Sequence, residues 1–222
     1  MPAHATAPSH QRSRGGASLR LAVARGQTRL AELDQASPLR ILFPTPEPGE
    51  PPLAALVNTA GGLAGGDAVE IDVALDAGAR ACLSTPAAEK VYRSLGPETS
   101  IAARIRVGPG AALEWIPQET ILFDGARLAR CLDADVAAGG RLLMAEMLVF
   151  GRHARGEAMR SGLALDSWRL RRDGRLVWAM AWRWRRDGRS ASPAPSASAA
   201  PRRRRRWCCL PGGARGDARC AA

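Results

Sequence analysis

Three short segments of this chain share one pattern. Leu75-Asp-Ala-Gly78, Val107-Gly-Pro-Gly110 and Val136-Ala-Ala-Gly139 each end a strand-like stretch on Leu or Val. Each then passes two turn residues and a glycine, takes one small residue and enters a new apolar stretch. The glycines lie 32 and then 29 residues apart. A recurrence of about thirty residues predicts strand-turn-strand corners repeated along an all-β structure with few helices. The arrangement is a layered one, β-solenoid-like or sandwich-like.

The stretches between the corners support strands. Val69, Ile71, Val73 and Leu75 alternate with Glu70, Asp72 and Ala74 at period two, and Leu53, Leu56 and Val57 form a short apolar run before them. Leu19, Leu21 and Val23 alternate, Gly26 turns, and Thr28 to Leu33 can return as a second strand. Leu39, Ile41 and Phe43 alternate again before Pro44, Pro46, Pro48, Pro51 and Pro52, which predict an extended loop outside any central strand. Trp168 to Leu170 and Leu176 to Trp184 predict a hairpin closed on Asp173-Gly174. The apolar run Arg141 to Gly151 has an ambiguous period, and Glu146 inside it needs a cationic partner, for which Arg152 and Arg155 are nearby.

Between the second apolar run and its alternating successor lies Asn58 to Asp67, with Gly61, Gly62, Gly65 and Gly66 around Leu63. Two Gly-Gly pairs predict a tightly shaped structural loop. The glycines do not form a nucleotide-binding loop, because no helix start follows them and no Gly-Lys-Ser/Thr is present. A serine hydrolase built on Ser84 or Ser94 with Glu119 and His153 is likewise disfavoured, since no Gly-x-Ser-x-Gly occurs.

The formal net charge of +11 is unevenly spread. From Ser190 onward there are seven arginines against Asp217 alone, and Lys90 is the sole lysine of the chain. The arginine-rich tail suggests, as the alternative function, a basic module binding nucleic acid. The preferred expectation is a reading frame that slips near Asp187 to Ser190, which leaves the tail without an evolved role and nucleic acid without a part to play. Five cysteines show neither a disulfide framework nor a paired Cys-x-x-Cys for zinc. No apolar stretch is long enough for a signal peptide or a membrane span, so a cytoplasmic setting without membrane contact is expected. The expected organisation is a disordered arm over 1–18, a β domain over 19–189 that is incomplete at its C-terminal end, and a disordered, low-complexity basic tail over 190–222.

Four motifs, in order, carry a resemblance. Asn-Thr-Ala-Gly-Gly-Leu-Ala-Gly-Gly-Asp (58–67), Thr-Pro-Ala-Ala-Glu-Lys-Val-Tyr-Arg-Ser (85–94), Leu-Glu-Trp-Ile-Pro-Gln-Glu-Thr-Ile-Leu-Phe-Asp-Gly-Ala (113–126) and Phe-Gly-Arg-x-Ala-Arg-Gly-Glu (150–157) resemble the UreD (UreH) family of urease accessory proteins. The resemblance runs from about Leu19 to Arg186. It implies a helical arrangement of β-strands and no catalytic activity. It also implies a scaffold role between the urease apoprotein and the accessory proteins UreF and UreG, the latter a nickel-carrying GTPase. Family members continue beyond the equivalent of Trp184 with further strands and a helical part that this chain does not show.

A nickel-delivery scaffold needs donors that release their ion. Nickel prefers imidazole, thiolate and carboxylate donors, and the body offers one histidine and two separated cysteines, so no tightly bound cofactor is expected. Nickel in transit would use carboxylates as way stations, and Asp67, Glu89, Glu119, Asp124 and Glu146 are the candidates.

Overall fold

The computed structural model describes residues 12–187; the tail and its proposed frame slip lie outside the described residues. In chain order the strands are β1 (Arg14–Ala24), β2 (Gln27–Ala36), β3 (Leu39–Leu42), β4 (Leu53–Asn58), β5 (Ala68–Leu75), β6 (Arg80–Ser84), β7 (Glu89–Val91) and β8 (Thr99–Val107). They continue with β9 (Ala112–Trp115), β10 (Thr120–Leu122), β11 (Arg127–Val136), β12 (Arg141–Met144), β13 (Leu148–Phe150), β14 (Ser161–Arg172) and β15 (Arg175–Asp187). The one described helical element is a 3-10 turn at His153–Arg155.

From β5 onward the chain visits three sheets in rotation. The seven-stranded sheet has the order β15-β14-β11-β8-β5-β1-β2, the five-stranded one β12-β9-β6-β4-β3, and the three-stranded one β13-β10-β7. Successive visits to a sheet are parallel and one coil apart in sequence, as in Val69↔Ile101 and Leu128↔Thr99. This is a three-sided parallel β-solenoid, with antiparallel partners β1–β2, β3–β4 and β14–β15 at its ends.

The recurring glycine corners are the bends from the first side to the second. Gly78, Gly110 and Gly139 have φ of 73°, 64° and 70°, which an L side chain rarely adopts. The corners also stack, since Gly78 N–H donates to the Pro109 carbonyl at 2.9 Å and Gly110 N–H to that of Ala138 at 3.4 Å. A spacing near thirty is therefore the length of one coil.

Inside, alternation delivers the core. Val69, Ile71, Val73 and Leu75 of β5 are all buried and meet Ile105 and Val107 of β8, Leu132 and Val136 of β11, and Leu83 and Leu113 of the second side. The third side is only three residues deep per coil, yet Val91 and Leu122 are fully buried there with Ala126, Leu128 and Met159. Burying each such aliphatic side chain contributes roughly 1.5–3 kcal/mol, so even this short side is held by its apolar residues.

Several sequence expectations shift. The first strand begins at Arg14 rather than near Leu19, because its parallel ladder with β5 starts at Arg14↔Ala68. Gly15 and Gly16 lie so close to the Ser37 and Glu70 carbonyls that a Cβ would sit 1.9 and 2.3 Å from those oxygens, hence two glycines at the start of the strand, ahead of its apolar alternation. Phe43 falls outside β3 and is exposed, whereas Leu39 and Ile41 are buried as their alternation predicts. The ambiguous run Arg141 to Gly151 divides into β12 and β13, with a corner at Ala145 to Met147. On the outer face of the large sheet Arg20 pairs with Glu32 and Asp76, Arg104 with Glu70 and Asp72, and Arg171 with Asp133. These arginines sit in a mixed-sign surface.

Candidate functional site

The bends from the second side to the third side carry the polar motifs. They stack through backbone bonds: Leu63 N–H donates to the Lys90 carbonyl at 2.7 Å, Glu89 N–H to that of Glu119 at 2.9 Å, and Thr120 N–H to that of Met147 at 2.9 Å. The glycine loop is thus more than a turn. Its Leu63, fully buried, bridges in parallel to Val91 and takes the place of a third-side strand in the first coil. Tyr92 closes the loop from outside by donating its hydroxyl to the Gly61 carbonyl at 2.9 Å.

Behind these bends lies a cavity of about 170 Å³, lined by Asn58, Glu89, Arg130 and Glu146 together with apolar walls that include Leu56 and Trp115. The volume holds several waters or a hydrated ion. Asn58 Nδ2 donates to both Glu89 oxygens at 3.0 Å, and Lys90 N–H donates to Oε1 at 3.0 Å. Burial pushes the Glu89 carboxyl up from its ordinary value, and these donors with the Lys90 charge only partly offset it.

Glu146 and Arg130 each leave only 7% of the side chain exposed and lie 2.9 Å apart, Nη1 to Oε2. Arg130 also donates to Asp166 through Nε at 3.1 Å and Nη2 at 2.7 Å, a two-pronged contact with a side chain 4% exposed. Trp115 Nε1 donates to Glu146 Oε1 at 2.9 Å. Oε2 has Arg130 as a charge partner but receives no aligned hydrogen bond among the described residues. Burial raises the Glu146 carboxyl above its ordinary value; Arg130 and Trp115 pull it down and Asp166 adds to the rise. The partner expected from sequence was Arg152 or Arg155. Arg152 instead binds Glu157, and the partner comes from β11, sixteen residues earlier in the same coil.

Fully ionised, Glu89, Glu146 and Asp166 set three carboxylates against the buried Arg130 guanidinium and the exposed Lys90 ammonium at the rim, an excess of negative charge that favours a cation or bound protons. Among the described residues no three His, Cys, Asp or Glu side chains converge on one point, and no Ser, Cys or His lines the cavity. The arrangement can attract a cation without enclosing it.

Of the five candidate carboxylates, Glu89 and Glu146 meet at this cavity. Asp67 is 7% exposed and holds the loop shut: Oδ1 accepts from Ser13 N–H at 2.9 Å and Oδ2 from Ala64 N–H at 2.7 Å. Asp124 Oδ1 accepts from Arg160 N–H and Ser161 N–H, both at 2.8 Å, and so pins the start of β14. Burial pushes its carboxyl up, but these donors and the Ser161 hydroxyl outweigh burial and hold it below the ordinary Asp value. Glu119 contributes its backbone carbonyl to the stack, and its half-buried side chain has no hydrogen bond or ion pair among the described residues. The glycines Gly61, Gly62, Gly65 and Gly66 shape the loop over the cavity, which Gly61 and Gly62 line directly.

Asn58, Arg130 and Asp166 escaped the sequence reading of the site. A signal for two of them was present: Arg130 stands among Leu128, Leu132, Ala134 and Val136 on the inward face of β11, and Asp166 among Ala164, Trp168 and Leu170 on that of β14. A charge on the apolar face of an alternating strand needs a buried partner.

The raised Glu89 carboxyl has a pH consequence. A carboxyl whose folded value lies above its unfolded one adds stability that is fully present below the ordinary Glu range and is lost as pH rises through the folded value. Glu89→Gln keeps an acceptor for Asn58 and removes the charge. It is therefore expected to melt higher than the parent at about pH 7.5 and equal to it near pH 4. Thermal melts at both values check this, and a gap that fails to close in acid would contradict the assignment to burial.

These features define a β-solenoid protein with a carboxylate-bearing interior cavity under a glycine-shaped loop. The UreD urease accessory protein family model matches residues 13–201, and the chain belongs to that family. It is 58% identical over 139 residues to "Urease accessory protein UreD" of Granulibacter bethesdensis, covering 63% of this chain and 58% of that protein. It is 53% identical over 176 residues to "Urease accessory protein UreD 1" of Methylobacterium radiotolerans, covering 78% and 60%. The corresponding protein of Rhodopseudomonas palustris is 54% identical over 154 residues, covering 69% of this chain and 54% of the relative. The chain thus spans under two thirds of the length of these relatives. No described helix is long and apolar enough to cross a membrane.

Proposed function

We propose that this chain is a non-catalytic scaffold for urease maturation that helps pass nickel to the urease apoprotein, with UreF and UreG as its partners in the cytoplasm. The observation that carries the reading is the placement of Glu89 and Glu146 at one interior cavity in a member of the UreD family. Nickel is cargo here. Carboxylate oxygens hold a divalent nickel ion less firmly than imidazole or thiolate, which suits passage better than storage. Asn58 orients Glu89 and Trp115 orients Glu146, so both carboxylates are held in place while the ion moves. Asp67 and Asp124 serve this path by fixing its walls, and Glu119 stands at the stacked bends.

The test is co-expression of the urease subunits with UreF, UreG and this chain, with nickel measured per purified urease. Omitting the chain is expected to leave urease nickel-poor. Glu89→Gln with Glu146→Gln is expected to lower the nickel content about tenfold, the scale on which metal affinity falls when a supporting group is lost. Full nickel loading by the double variant would remove these carboxylates from the path, and full loading without the chain would remove the scaffold role.

A further inference from the structure

The five-stranded sheet has two unlike faces. Leu39, Leu56 and Trp115 point inward and wall the cavity, whereas the alternate residues of the same strands point to solvent. On a solvated sheet face polar residues are the rule. Here the outward positions carry Leu42, Leu53, Val57 and Leu143, with Leu42 and Leu143 each 57% exposed. The ladders set these strands side by side, with Leu42 opposite Ala55, Leu53 opposite Cys82, Cys82 opposite Glu114 and Glu114 opposite Leu143. Arg80 and Arg141 stand at one end of the face, both aligned with Ala112, and Arg40 stands at the other, opposite Val57.

On the large sheet Arg20, Arg104 and Arg171 are paired with acids. On this face Arg40, Arg80 and Arg141 have no ion pair among the described residues, and Glu114 is the one acid at the outward strand positions. We infer that the outer face of the five-stranded sheet is a docking surface for an amphipathic helix of a partner protein. The apolar stripe of that helix lies on the leucines, and Asp or Glu side chains flanking the stripe reach the three arginines. Five strands about 4.8 Å apart make the face about 19 Å wide, broad enough for one helix about 10 Å across with its flanks. A helix suits the face better than a strand, because the inner strands have spent their backbone groups on their own ladders and recognition falls to side chains.

Charge decides among the occupants. The chain's own ends are poor candidates, since residues 1–11 contain no acid and from Ser190 onward seven arginines stand against Asp217 alone. A second copy packed face to face would set three arginines and one glutamate against the same set, a like-charge encounter that costs affinity. An acidic partner gains from all three cations. The face is also separate from the nickel path, for the sheet itself lies between it and the cavity.

The test is fluorescence anisotropy on the full chain with three labelled, stapled synthetic helices of about 18 residues. They share one leucine stripe and carry glutamate, glutamine or lysine on its flanks. The glutamate helix is expected to bind about tenfold more tightly than the lysine helix at low salt, with the preference shrinking as salt rises. Leu143→Gln is expected to weaken all three helices about tenfold, through lost apolar burial. Arg80→Glu with Arg141→Glu is expected to invert the order, so that the lysine helix binds more tightly. All three positions are exposed, so the fold should persist. No binding of the glutamate helix, an order indifferent to charge, or binding unchanged in the variants would each overturn the inference. So would a chain whose mass in light scattering doubles with concentration and reverts in Leu143→Gln, which assigns the face to a second copy. None of these variants touches Glu89 or Glu146, so failure here leaves the nickel reading standing.

Discussion

Arg130→Met is expected to lower the melting temperature by about 6–20 °C, the largest effect of any single side-chain truncation at the cavity. Removing one member of a buried ion cluster costs about 3–5 kcal/mol, because the opposite charges stay desolvated without a partner. For a domain of this size each kcal/mol corresponds to about 2–4 °C. Arg130 faces two such carboxylates, Asp166 through two hydrogen bonds and Glu146 through Nη1, with all three side chains nearly inaccessible. In the variant Glu146 also loses the group that holds its raised carboxyl down. The penalty should then be greatest at neutral pH and shrink in acid, since a raised carboxyl stabilises the fold only below its folded value.

A triple variant decides whether charge or shape is at stake. Arg130→Met with Glu146→Leu and Asp166→Leu should recover most of the loss, as apolar replacements of a whole buried ion cluster are often neutral or stabilising. If Arg130→Met alone melts like the parent, the buried cluster does not hold the coils together.

Gly62→Val is expected to destabilise by about 2–6 kcal/mol, combining backbone strain with overpacking. Gly62 has φ of 144°, and a Cβ there would lie 2.6 Å from Tyr92 Cε2 and 2.9 Å from the Lys90 carbonyl oxygen. The backbone cannot back away, because Leu63 N–H is bonded to that same carbonyl and Tyr92 N–H to the Leu63 carbonyl at 2.8 Å. Gly65→Val fails for a different reason. Its φ is unexceptional, but its Cβ would lie 2.0 Å from Ser94 Oγ and 2.8 Å from the Pro97 carbonyl oxygen. Ser94→Gly should therefore soften Gly65→Val, whereas Tyr92→Ala should do little for Gly62→Val. Gly61→Ala, with φ of 74° and open space around its Cβ, should cost only about 1–2 kcal/mol. Melting temperatures across this set separate strain from collision, and a Gly62→Val protein that melts like the parent would mean the loop is free to move.

The all-β class, the coil length and the hairpin at Asp173-Gly174 were legible because they rest on local chemistry. Period-two alternation in β5 and β11, glycine corners at 78, 110 and 139, and a two-residue turn each act within a few residues. The motif resemblance also led to the family, since the glycine loop and the polar bends are short continuous segments. Each bend was visible alone. Their stacking was not, because coils about thirty residues apart touch only after the chain has wound.

The candidate site divides along the same line. Sequence picked out Glu89 and Glu146 as carboxylates worth explaining, one in a polar motif and one in an apolar run, but not the cavity they share. By itself it determined the inward face of regularly alternating strands such as β5, because alternation is a property of the extended backbone, and it marked Glu146 as a charge in need of a partner. Only the tertiary structure decided the partners: Arg130 for Glu146, Asn58 for Glu89, and the Ser13 and Ala64 amides for Asp67. A buried charge demands some counter-charge or donor, and the winding of the coils decides which residue, far away in sequence, is near enough to supply it.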